Sequence, residues 1–333
     1  MDINNNTILT ESIYAYLIEG SIAVILNLPL AVAMLFVKKL RNRREFQVIV
    51  GLAMTDVCFG AAFILTGIDR LPAINLVDNG GIPSIPRSSC TKRLFVQLLT
   101  ISYQMQGILS TVVASDRFIA ITFPIKYIKF GRWYHIVIIA TPGVIVFVPT
   151  LVNLMLTIDD ETMVSSLCIT AEAVYPGFHS YVLLMRIICI LCSGLLYVFI
   201  AARLKQHFAR IEKRCHNVET TQMRNIRRST VTVGLTTVNA LLFLVFPDVI
   251  AYFGVGGIHT KYATLLYSFY AANVNLNFVI LMVRHQEIRN NILYFIRVII
   301  LRRRHQNNNC SSQSQQKVAV NVVAPKKNVN ATM

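Results

Sequence analysis

Charged residues are scarce in this chain. They make up 14% of its 333 residues, whereas ordinary globular domains carry roughly 25%. Hydrophobic residues, by contrast, account for 54%. This balance excludes a soluble domain of the same length. It predicts a membrane protein instead, because a helix that crosses a bilayer core needs about 20 mostly apolar residues.

Catalytic motifs are missing as well. The chain has no His-Glu-x-x-His, no glycine-rich phosphate loop and no Gly-x-Ser-x-Gly. Its seven histidines are scattered and lack the spacing of metal ligands. We therefore predict that the protein is not an enzyme and has no catalytic residues and no transition-metal site.

Acidic residues are half as numerous as basic ones, 16 against 32. The basic residues are divided among loops and the tail and do not share one face with aromatic residues, which argues against nucleic-acid binding. Most of them follow the first, third, fifth and last apolar runs. Positive residues remain on the cytoplasmic side, so we predict a multi-pass protein of the plasma membrane with an extracellular N-terminus.

Seven apolar runs are long enough to span a membrane. In lipid each run must be helical to satisfy its own backbone groups. The predicted fold is therefore an all-α membrane protein, a seven-transmembrane helix bundle with a C-terminal amphipathic helix. The runs lie at about 14–37, 46–69, 94–117, 134–156, 179–203, 229–254 and 262–283.

These runs divide the chain into four parts. An extracellular N-terminus, 1–13, precedes the seven-transmembrane domain, 14–284. At 285–304, apolar residues at near-helical spacing alternate with bases, which predicts an amphipathic helix on the inner lipid surface. The remainder, 305–333, is polar and is predicted to be a disordered cytoplasmic tail.

Four residues are candidates for covalent modification. Cys90 and Cys168 are the two cysteines on the predicted outer side, where disulfides persist, and a bridge between them would constrain the mouth of any pocket. Asn5 begins an N-glycosylation acceptor sequence, with an unmodified polar segment as the alternative. Cys310 in the tail is a candidate for palmitoylation.

Polar side chains inside the apolar runs mark further sites. An ionised Asp at a helix centre costs about 2.5 to 3.5 kcal/mol on insertion scales, so Asp56 must face partners or water inside the bundle. With Asn27, Asn273 and Asn277 it predicts a polar cluster at mid-membrane. Hydrogen-bonded contacts that only hold the helices together are the alternative.

Run five contains Arg186 and run six contains Asp248. Neither charge should be alone in lipid. We predict that the two side chains pair across these helices in a ligand cavity. The alternative is that each extends to the membrane surface or binds backbone groups.

At the inner end of run three, Asp116 and Arg117 open the sequence DRFIAITFPIKY. In combination with other motifs, this sequence resembles the rhodopsin-like G-protein-coupled receptors, and most closely the nematode serpentine chemoreceptors of the srsx type. The resemblance covers residues 14 to about 300. It is carried by Asn27, the LAMTD sequence that ends at Asp56, the Asp116-Arg117-Phe118 motif, Cys90, Cys168, Tyr197, Pro247, Asn273 and Asn277.

The resemblance implies a chemosensory receptor that binds an external small molecule and activates a heterotrimeric G protein. It implies that Asp116 holds Arg117 in the resting state, that Arg117 turns toward the G protein on activation, and that Tyr197 supports it. It further implies an allosteric sodium ion near Asp56. The residues that would line that sodium site are Asp56, Ser102, Gln106, Asn273 and Asn277.

Three positions depart from the family pattern. Val245 replaces the usual tryptophan of helix six, Arg227 replaces an acid that often locks Arg117, and Leu281 replaces the tyrosine of helix seven. Two other positions limit the ligand. Ala271 replaces the lysine that holds retinal in opsins, and Leu99 replaces the aspartate of amine receptors.

The predicted pocket has a mixed aromatic and polar lining, as is usual for small-molecule sites. Its candidate residues are Tyr103, Gln106, Arg186, Asp248, Tyr252, Tyr267 and Tyr270.

Two other functions fit part of the pattern. A neuropeptide receptor of the same fold is favoured by the acidic loop at 159–161, although such a loop is usually only solvated. A secondary transporter could also bury these charges, but transporters tend to show inverted repeats, and we find no convincing repeat in the sequence.

Overall fold

A computed structural model gives the fold. It describes residues 3–37, 44–78, 82–130, 132–214, 221–253 and 263–284, and single positions between 286 and 297. The predicted tail with Cys310 lies outside these residues, and so does part of the predicted amphipathic segment. The side chain of Asn5 also lies outside the described part.

Seven long helical segments, α1 to α7, make up most of the described chain. Two three-residue strands, β1 and β2, pair as a two-stranded antiparallel sheet near Cys90 and Cys168. This end of the bundle, which was predicted to be extracellular, is called the outer end. The bounds are α1 Ile3–Phe36, α2 Arg44–Asp78, β1 Ser84–Pro86, α3 Leu94–Thr122, α4 Arg132–Thr157, β2 Met163–Ser165, α5 Pro176–Arg214, α6 Thr221–Ala240 continued by Leu241–Val245 and Phe246–Phe253, and α7 Ala263–Arg284.

The helices extend beyond the predicted apolar runs. Helix α1 begins at Ile3, because residues 3–13 contain no glycine or proline to end it. Helix α2 continues past Pro72 to Asp78. Helix α5 reaches Arg214 and α6 begins at Thr221. Residues 203–230 contain no glycine or proline, which favours helices of this length.

Six of these helices are long and apolar enough to cross a membrane, counting only described residues. Helix α3 does not meet that measure. About half of its residues are buried, among them Gln104, Gln106 and Asp116. Helix α3 contacts α2, α4, α5 and α6, so its polar side chains face protein and not lipid. Its central position explains its lower hydropathy.

The closest helix contact joins α1 to α2 through two glycines. A Cβ atom on Gly20 would lie 2.7 Å from the carbonyl oxygen of Gly60, and one on Gly60 would lie 2.9 Å from the Cβ of Ala23. Small residues let backbones approach in this way in membrane helices. By contrast, α4 and α5 expose large apolar side chains such as Phe147 and Val198, as expected of surfaces that face lipid.

Helix α6 contains a π-helical stretch at Leu241–Val245. Pro247 follows it directly and cannot donate a backbone hydrogen bond, and its ring would clash with the carbonyl group four residues earlier, that of Phe243. The wider turn relieves this clash. It also fixes the direction of the last helical stretch of α6, Phe246–Phe253, which carries Asp248.

Candidate functional site

The outer half of the bundle contains a cavity of about 90 Å³. Helices α3, α5, α6 and α7 line it together with the loop before α5. This volume is well below the 300 to 1,000 Å³ that is common for drug-sized ligands, so the cavity suits a small molecule. Most of the lining is apolar, and its polar members include Tyr103, Arg186, Tyr267 and Tyr270.

Arg186 and Asp248 form a buried ion pair beside this cavity. The Nε atom of Arg186 donates to the Oδ2 atom of Asp248 at 2.6 Å, and Nη2 donates to Oδ1. The hydroxyl of Tyr270 also donates to Oδ1, at 2.8 Å. Arg186 is 1% exposed and Asp248 0%. The predicted pairing of these residues is thus present in the structure, with the two-point geometry that strengthens arginine–carboxylate contacts.

Aromatic rings enclose the guanidinium group of Arg186. Its central carbon lies 4.8 Å from the ring centre of Tyr103 and 4.5 Å from that of Tyr270, which are cation–π distances. Tyr267 packs at 5.8 Å against Tyr270. On the other side, Gly107 of α3 makes room for the arginine, because a Cβ atom there would lie 3.0 Å from the Cα of Arg186.

The predicted disulfide is present and secures the loop over the cavity. Cys90 precedes α3 and is bonded to Cys168, which follows β2. Cys168 has a φ angle of 47°, in a region that residues other than glycine rarely adopt. Arg70 donates hydrogen bonds to the carbonyl groups of Leu167 and Cys168, which helps to hold this turn. The residues that follow, Ile169–Ala171, line the cavity.

Five of the seven predicted pocket residues come together here. Tyr103, Arg186, Tyr267 and Tyr270 line the cavity, and Asp248 binds two of them. Tyr252 does not join them, since it is 42% exposed and packs against Phe253. Gln106 is one helical turn deeper, beside Asp56. The cavity also takes in Thr100, His179 and Leu266, which no sequence motif singled out.

A second polar group lies deeper in the bundle. The side-chain nitrogen of Asn239 on α6 lies 3.0 Å from the side-chain oxygens of both Asn273 and Asn277 and from the backbone oxygen of Asn273. Asn27 instead donates to the carbonyl of Ala23 in its own helix. Asn239 was missed in the sequence, although a polar residue inside apolar run six was the signal that could have found it.

The surroundings of Asp56 fit a bound cation. Asp56 is 6% exposed, and the nearby Ser102 and Gln106 are also buried. The oxygens of both these side chains have no hydrogen-bond partner within the described structure. Carboxylate, hydroxyl and amide oxygens are the ligands that hard cations take. Asn273 and Asn277, the other predicted sodium ligands, direct their oxygens to Asn239.

The inner end of α3 carries Asp116 and Arg117, which are 3% and 4% exposed. The Nε atom of Arg117 lies 3.7 Å from Asp116 Oδ2, a distance that allows charge attraction but not a hydrogen bond. Asp116 accepts hydrogen bonds at 3.2 Å from the hydroxyls of Tyr127 and Tyr134. No sequence pattern pointed to either tyrosine. Phe118, the third residue of the motif, is half-buried.

Tyr197 lies above this end of the bundle. It packs with Val113 of α3 and Val233 of α6, and its ring is 3.7 Å from the position of a Cβ atom on Gly234. It also lines a large apolar space of about 720 Å³ between the inner halves of α5 and α6. This space is a groove open to the lipid-facing surface, since Leu195, Val198 and Val238 in its lining are exposed.

Two of the three atypical positions have apolar surroundings. Val245 lies in the π-helical stretch and packs against the outer core cluster. Leu281 is 8% exposed and packs with Leu30, Met34 and Ile288 in a cluster of α1, α2 and α7. The third, Arg227, has a helical backbone in α6, and its side chain lies outside the described part.

Comparison with known proteins identifies the family. The family model of the serpentine type 7TM GPCR chemoreceptor Srsx matches residues 82–296, which is more than half of the chain. The match begins before the disulfide and includes the inner Asp116-Arg117 motif and the outer ion pair. No curated protein matches the chain. With its apolar helices and its disulfide, this multi-pass membrane protein belongs to the Srsx family of serpentine chemoreceptors, which are seven-transmembrane G-protein-coupled receptors.

Proposed function

We propose that this receptor binds a small external molecule in the outer cavity and activates a heterotrimeric G protein through the inner end of α3. The observation that carries the proposal is the pairing of two sites on one helix. Tyr103 lines the cavity and Arg117 lies fourteen residues further along α3, about 21 Å away at 1.5 Å per residue. One rigid helix therefore connects the two ends.

The ligand acts by stabilising one of two conformations. It can shift the receptor only by binding one state more tightly than the other. The cavity is formed by α3, α5, α6 and α7, so a ligand in it contacts four helices that continue toward the inner end. The apolar space between α5 and α6 gives these helices room to move there. In the activated state Arg117 leaves Asp116 and contacts the G protein.

The proposal also covers the orientation of the receptor in the membrane and the contact of the segment after α7 with lipid. The N-terminus lies outside the plasma membrane and the tail inside, which agrees with a disulfide on the side of the cavity. The segment after α7 lies along the inner lipid surface. Ile288 and Ile292 support this because they are buried against the cluster of α1, α2 and α7, and Leu293 and Tyr294 beside them are exposed.

We also propose that a sodium ion binds near Asp56 and regulates the receptor. Asp56, Ser102 and Gln106 would hold it, and the ion would compensate the charge of the aspartate. Asn273 and Asn277 would contribute indirectly, by fixing α7 against α6 through Asn239.

The small cavity favours a small molecule over a peptide. A basic peptide would need the acidic loop, but Asp160 of that loop is within 2.6 Å of Arg87 and is already paired. The loop also covers the cavity with Ile169–Ala171. A neuropeptide is therefore the second candidate, and no feature of the described structure favours transport.

The experiment is a functional screen. The receptor is expressed with promiscuous G proteins and tested with odorants, metabolites and peptides for second-messenger responses. We expect small molecules to give responses and the Arg117→Ala variant to lose them at equal surface expression. The matched control is Lys129→Ala, which removes a nearby exposed base outside the motif. A response that survives Arg117→Ala unchanged would overturn the coupling role.

A further inference from the structure

Two polar atoms of the cavity lining lack hydrogen bonds. They are the Nη1 atom of Arg186 and the hydroxyl oxygen of Tyr103, and neither has a partner within the described structure. Arg186 uses its Nε and Nη2 atoms for Asp248, so Nη1 is the donor left over. A buried donor without a partner is unfavourable, because it has given up its hydrogen bonds to water. Two such donors on residues that line one cavity create a need for an acceptor there.

The two donors belong to adjacent groups. The guanidinium carbon of Arg186 lies 4.8 Å from the ring centre of Tyr103, and both residues line the same cavity. The other tyrosine hydroxyls of the lining are engaged. Tyr270 donates to Asp248, and Tyr267 is hydrogen-bonded to Thr170. The need for an acceptor is therefore confined to one corner of the cavity, between α3 and α5.

The charge of the site limits which acceptor fits. Arg186 is the only Lys, Arg, Asp or Glu among the described residues of the lining, and Asp248 neutralises it. An added carboxylate would bring one negative charge that only a protonated His179 could balance into a buried site, which is costly. An ammonium group would supply no acceptor for either donor. A neutral oxygen acceptor satisfies both donors without this cost.

We propose that the ligand of this receptor is a small neutral molecule with a carbonyl oxygen, such as a ketone, ester, amide or lactone, and that the oxygen accepts from Arg186 Nη1 and Tyr103. The remainder of the molecule contacts the apolar lining of Val174, Phe178, Val182, Leu183 and Leu266. This inference rests on the proposed function, because it names the ligand class of the same cavity.

The two unpartnered donors also make the ligand bind one conformation of the receptor more tightly than the other. Less than 1 Å² of each of these two atoms is exposed, so the carbonyl oxygen reaches them only after the packing around Tyr103 and Arg186 changes. In the conformation described here the two donors remain unsatisfied. Once α3 and α5 shift to admit the oxygen, both donors are satisfied. A carbonyl ligand thus binds the shifted state more tightly, as an activating ligand must.

The test measures binding to purified full-length receptor in lipid nanodiscs, without a G protein. The probes are matched sets on the same carbon skeletons, such as 2-pentanone, methyl butanoate, pentanoate, pentylamine and pentane. Ligands of the folded state raise the unfolding temperature according to their affinity. We expect the carbonyl compounds to give the largest shifts, followed by the hydrocarbons, with the carboxylates and amines giving none.

Two single-atom variants locate the effect. Tyr103→Phe removes the unsatisfied hydroxyl but keeps the ring, so it should weaken carbonyl binding about tenfold and leave hydrocarbon binding unchanged. Without ligand it should fold at least as well as the wild type. The control is Tyr252→Phe, which removes a hydroxyl from an exposed tyrosine that does not line the cavity and should not alter the preference for carbonyl compounds.

A third variant tests the arginine without leaving a lone buried charge. The double variant Arg186→Met with Asp248→Leu removes the ion pair as a unit. It should fold and bind hydrocarbons, but should lose the remaining preference for carbonyl compounds. If it fails to fold, Tyr103→Phe and its control Tyr252→Phe still decide the question.

The inference is overturned if carboxylates, amines or hydrocarbons bind best, if no carbonyl compound binds, or if Tyr103→Phe leaves the preference intact. Failure of the proposed function gives a different result. In that case carbonyl compounds stabilise the purified receptor as expected, but no compound produces a G-protein response in cells.

Discussion

The outer ion pair joins two helices, whereas the inner pair consists of neighbours on one helix. Arg186 on α5 and Asp248 on α6 are held by two hydrogen bonds. Asp116 and Arg117 are both on α3, and their closest charged atoms lie 3.7 Å apart. The outer pair therefore fixes α5 to α6, while the attraction between the inner pair acts within α3.

Asp248 and Asp116, the acids of the two pairs, also differ in where their other hydrogen-bond donors lie. Asp248 receives its third hydrogen bond from Tyr270 of α7, within the bundle. Asp116 receives hydrogen bonds from Tyr134 of α4 and from Tyr127, which belongs to the short helix Pro124–Lys129 of the inner loop. We infer that the outer group, Arg186, Asp248 and Tyr270, acts as a clamp between helices. The inner group, Asp116 with Tyr127 and Tyr134, acts as a latch. In the clamp the acid is hydrogen-bonded to its arginine, and in the latch the acid is hydrogen-bonded to tyrosines instead.

The largest expected effect comes from breaking the outer clamp. Arg186→Ala leaves Asp248 as a lone buried charge, which should lower the free energy of unfolding by about 3 to 5 kcal/mol. The double variant Arg186→Met with Asp248→Leu should recover most of this loss. Thermal unfolding of the purified receptor measures both. Equal instability of the single and double variants would show that the ion pair does not act as a clamp.

A smaller effect is expected from crowding the same clamp. In Gly107→Ala the new Cβ atom would lie 3.0 Å from the Cα of Arg186, so α3 and α5 must separate slightly. We expect a loss of about 1 to 3 kcal/mol in unfolding free energy, as for overpacked cores. Gly143→Ala on α4 is the matched control, because its Cβ atom would meet nothing within 4 Å. A Gly107→Ala variant as stable as this control would contradict the close approach.

Substitutions in the inner latch should change G-protein signalling more than they change the stability of the receptor. Tyr134→Phe and Tyr127→Phe each remove one hydrogen bond to Asp116, worth about 1 kcal/mol. The acid is then less firmly held, so we expect a higher G-protein activity without ligand, and most in the double variant. The measurement is second-messenger production at matched surface expression. The control Tyr181→Phe changes an exposed tyrosine near the outer end of α5 and should leave the basal signal unchanged.

The smallest expected effect on stability concerns the loop between α4 and α5, which covers the cavity and carries Asp160. Hydrogen bonds from the hydroxyl and backbone N–H of Thr162, and then from Arg87, lower the pKa of Asp160 from its ordinary value of 3.8 to about 2. A lowered pKa means that this carboxylate stabilises the fold above about pH 4, and that the contribution is lost as the pH falls toward 2.

Unfolding temperatures measured between pH 5 and pH 2 test this loop. The difference between the wild type and Asp160→Asn should shrink over that interval. A difference that stays constant down to pH 2 would show that the carboxylate is not engaged. Because the side chain of Asp160 remains 19% exposed, solvent screens the carboxylate, and the effect should be small beside those of the two ion pairs.

Much of this arrangement could be predicted from the sequence, because charges in apolar runs have few physical solutions. Arg186 and Asp248 had to find partners, and the helices that carry them are neighbours. Cys90 and Cys168 were the two cysteines on the side that was predicted to be extracellular, where disulfides persist. In both cases the chemistry of the residue type left few alternatives.

The other features of the site could not be predicted, because they depend on which face of a helix each residue occupies. Tyr252 looked equivalent to Tyr267 and Tyr270, but the π-helical stretch before Pro247 sets the rotation of the last part of α6 and leaves Tyr252 exposed. Tyr127 and Tyr134 gave no signal as partners of Asp116, since tyrosines in a basic loop and at a helix start are common membrane-surface residues. Gly107 also gave no signal, because its role is to leave space.

The central claim is that ligand binding at the outer cavity and G-protein binding at Arg117 are linked through one helix bundle. Linkage requires each site to change the affinity of the other by the same factor. The most direct measurement is the affinity of an activating ligand for the purified receptor, with and without nucleotide-free G protein, in the wild type and in Arg117→Ala. We predict at least fivefold tighter ligand binding with the G protein in the wild type, within the usual range of such coupling, and no change in Arg117→Ala. An affinity that does not depend on the G protein in the wild type, or that depends on it equally in both, would contradict the account.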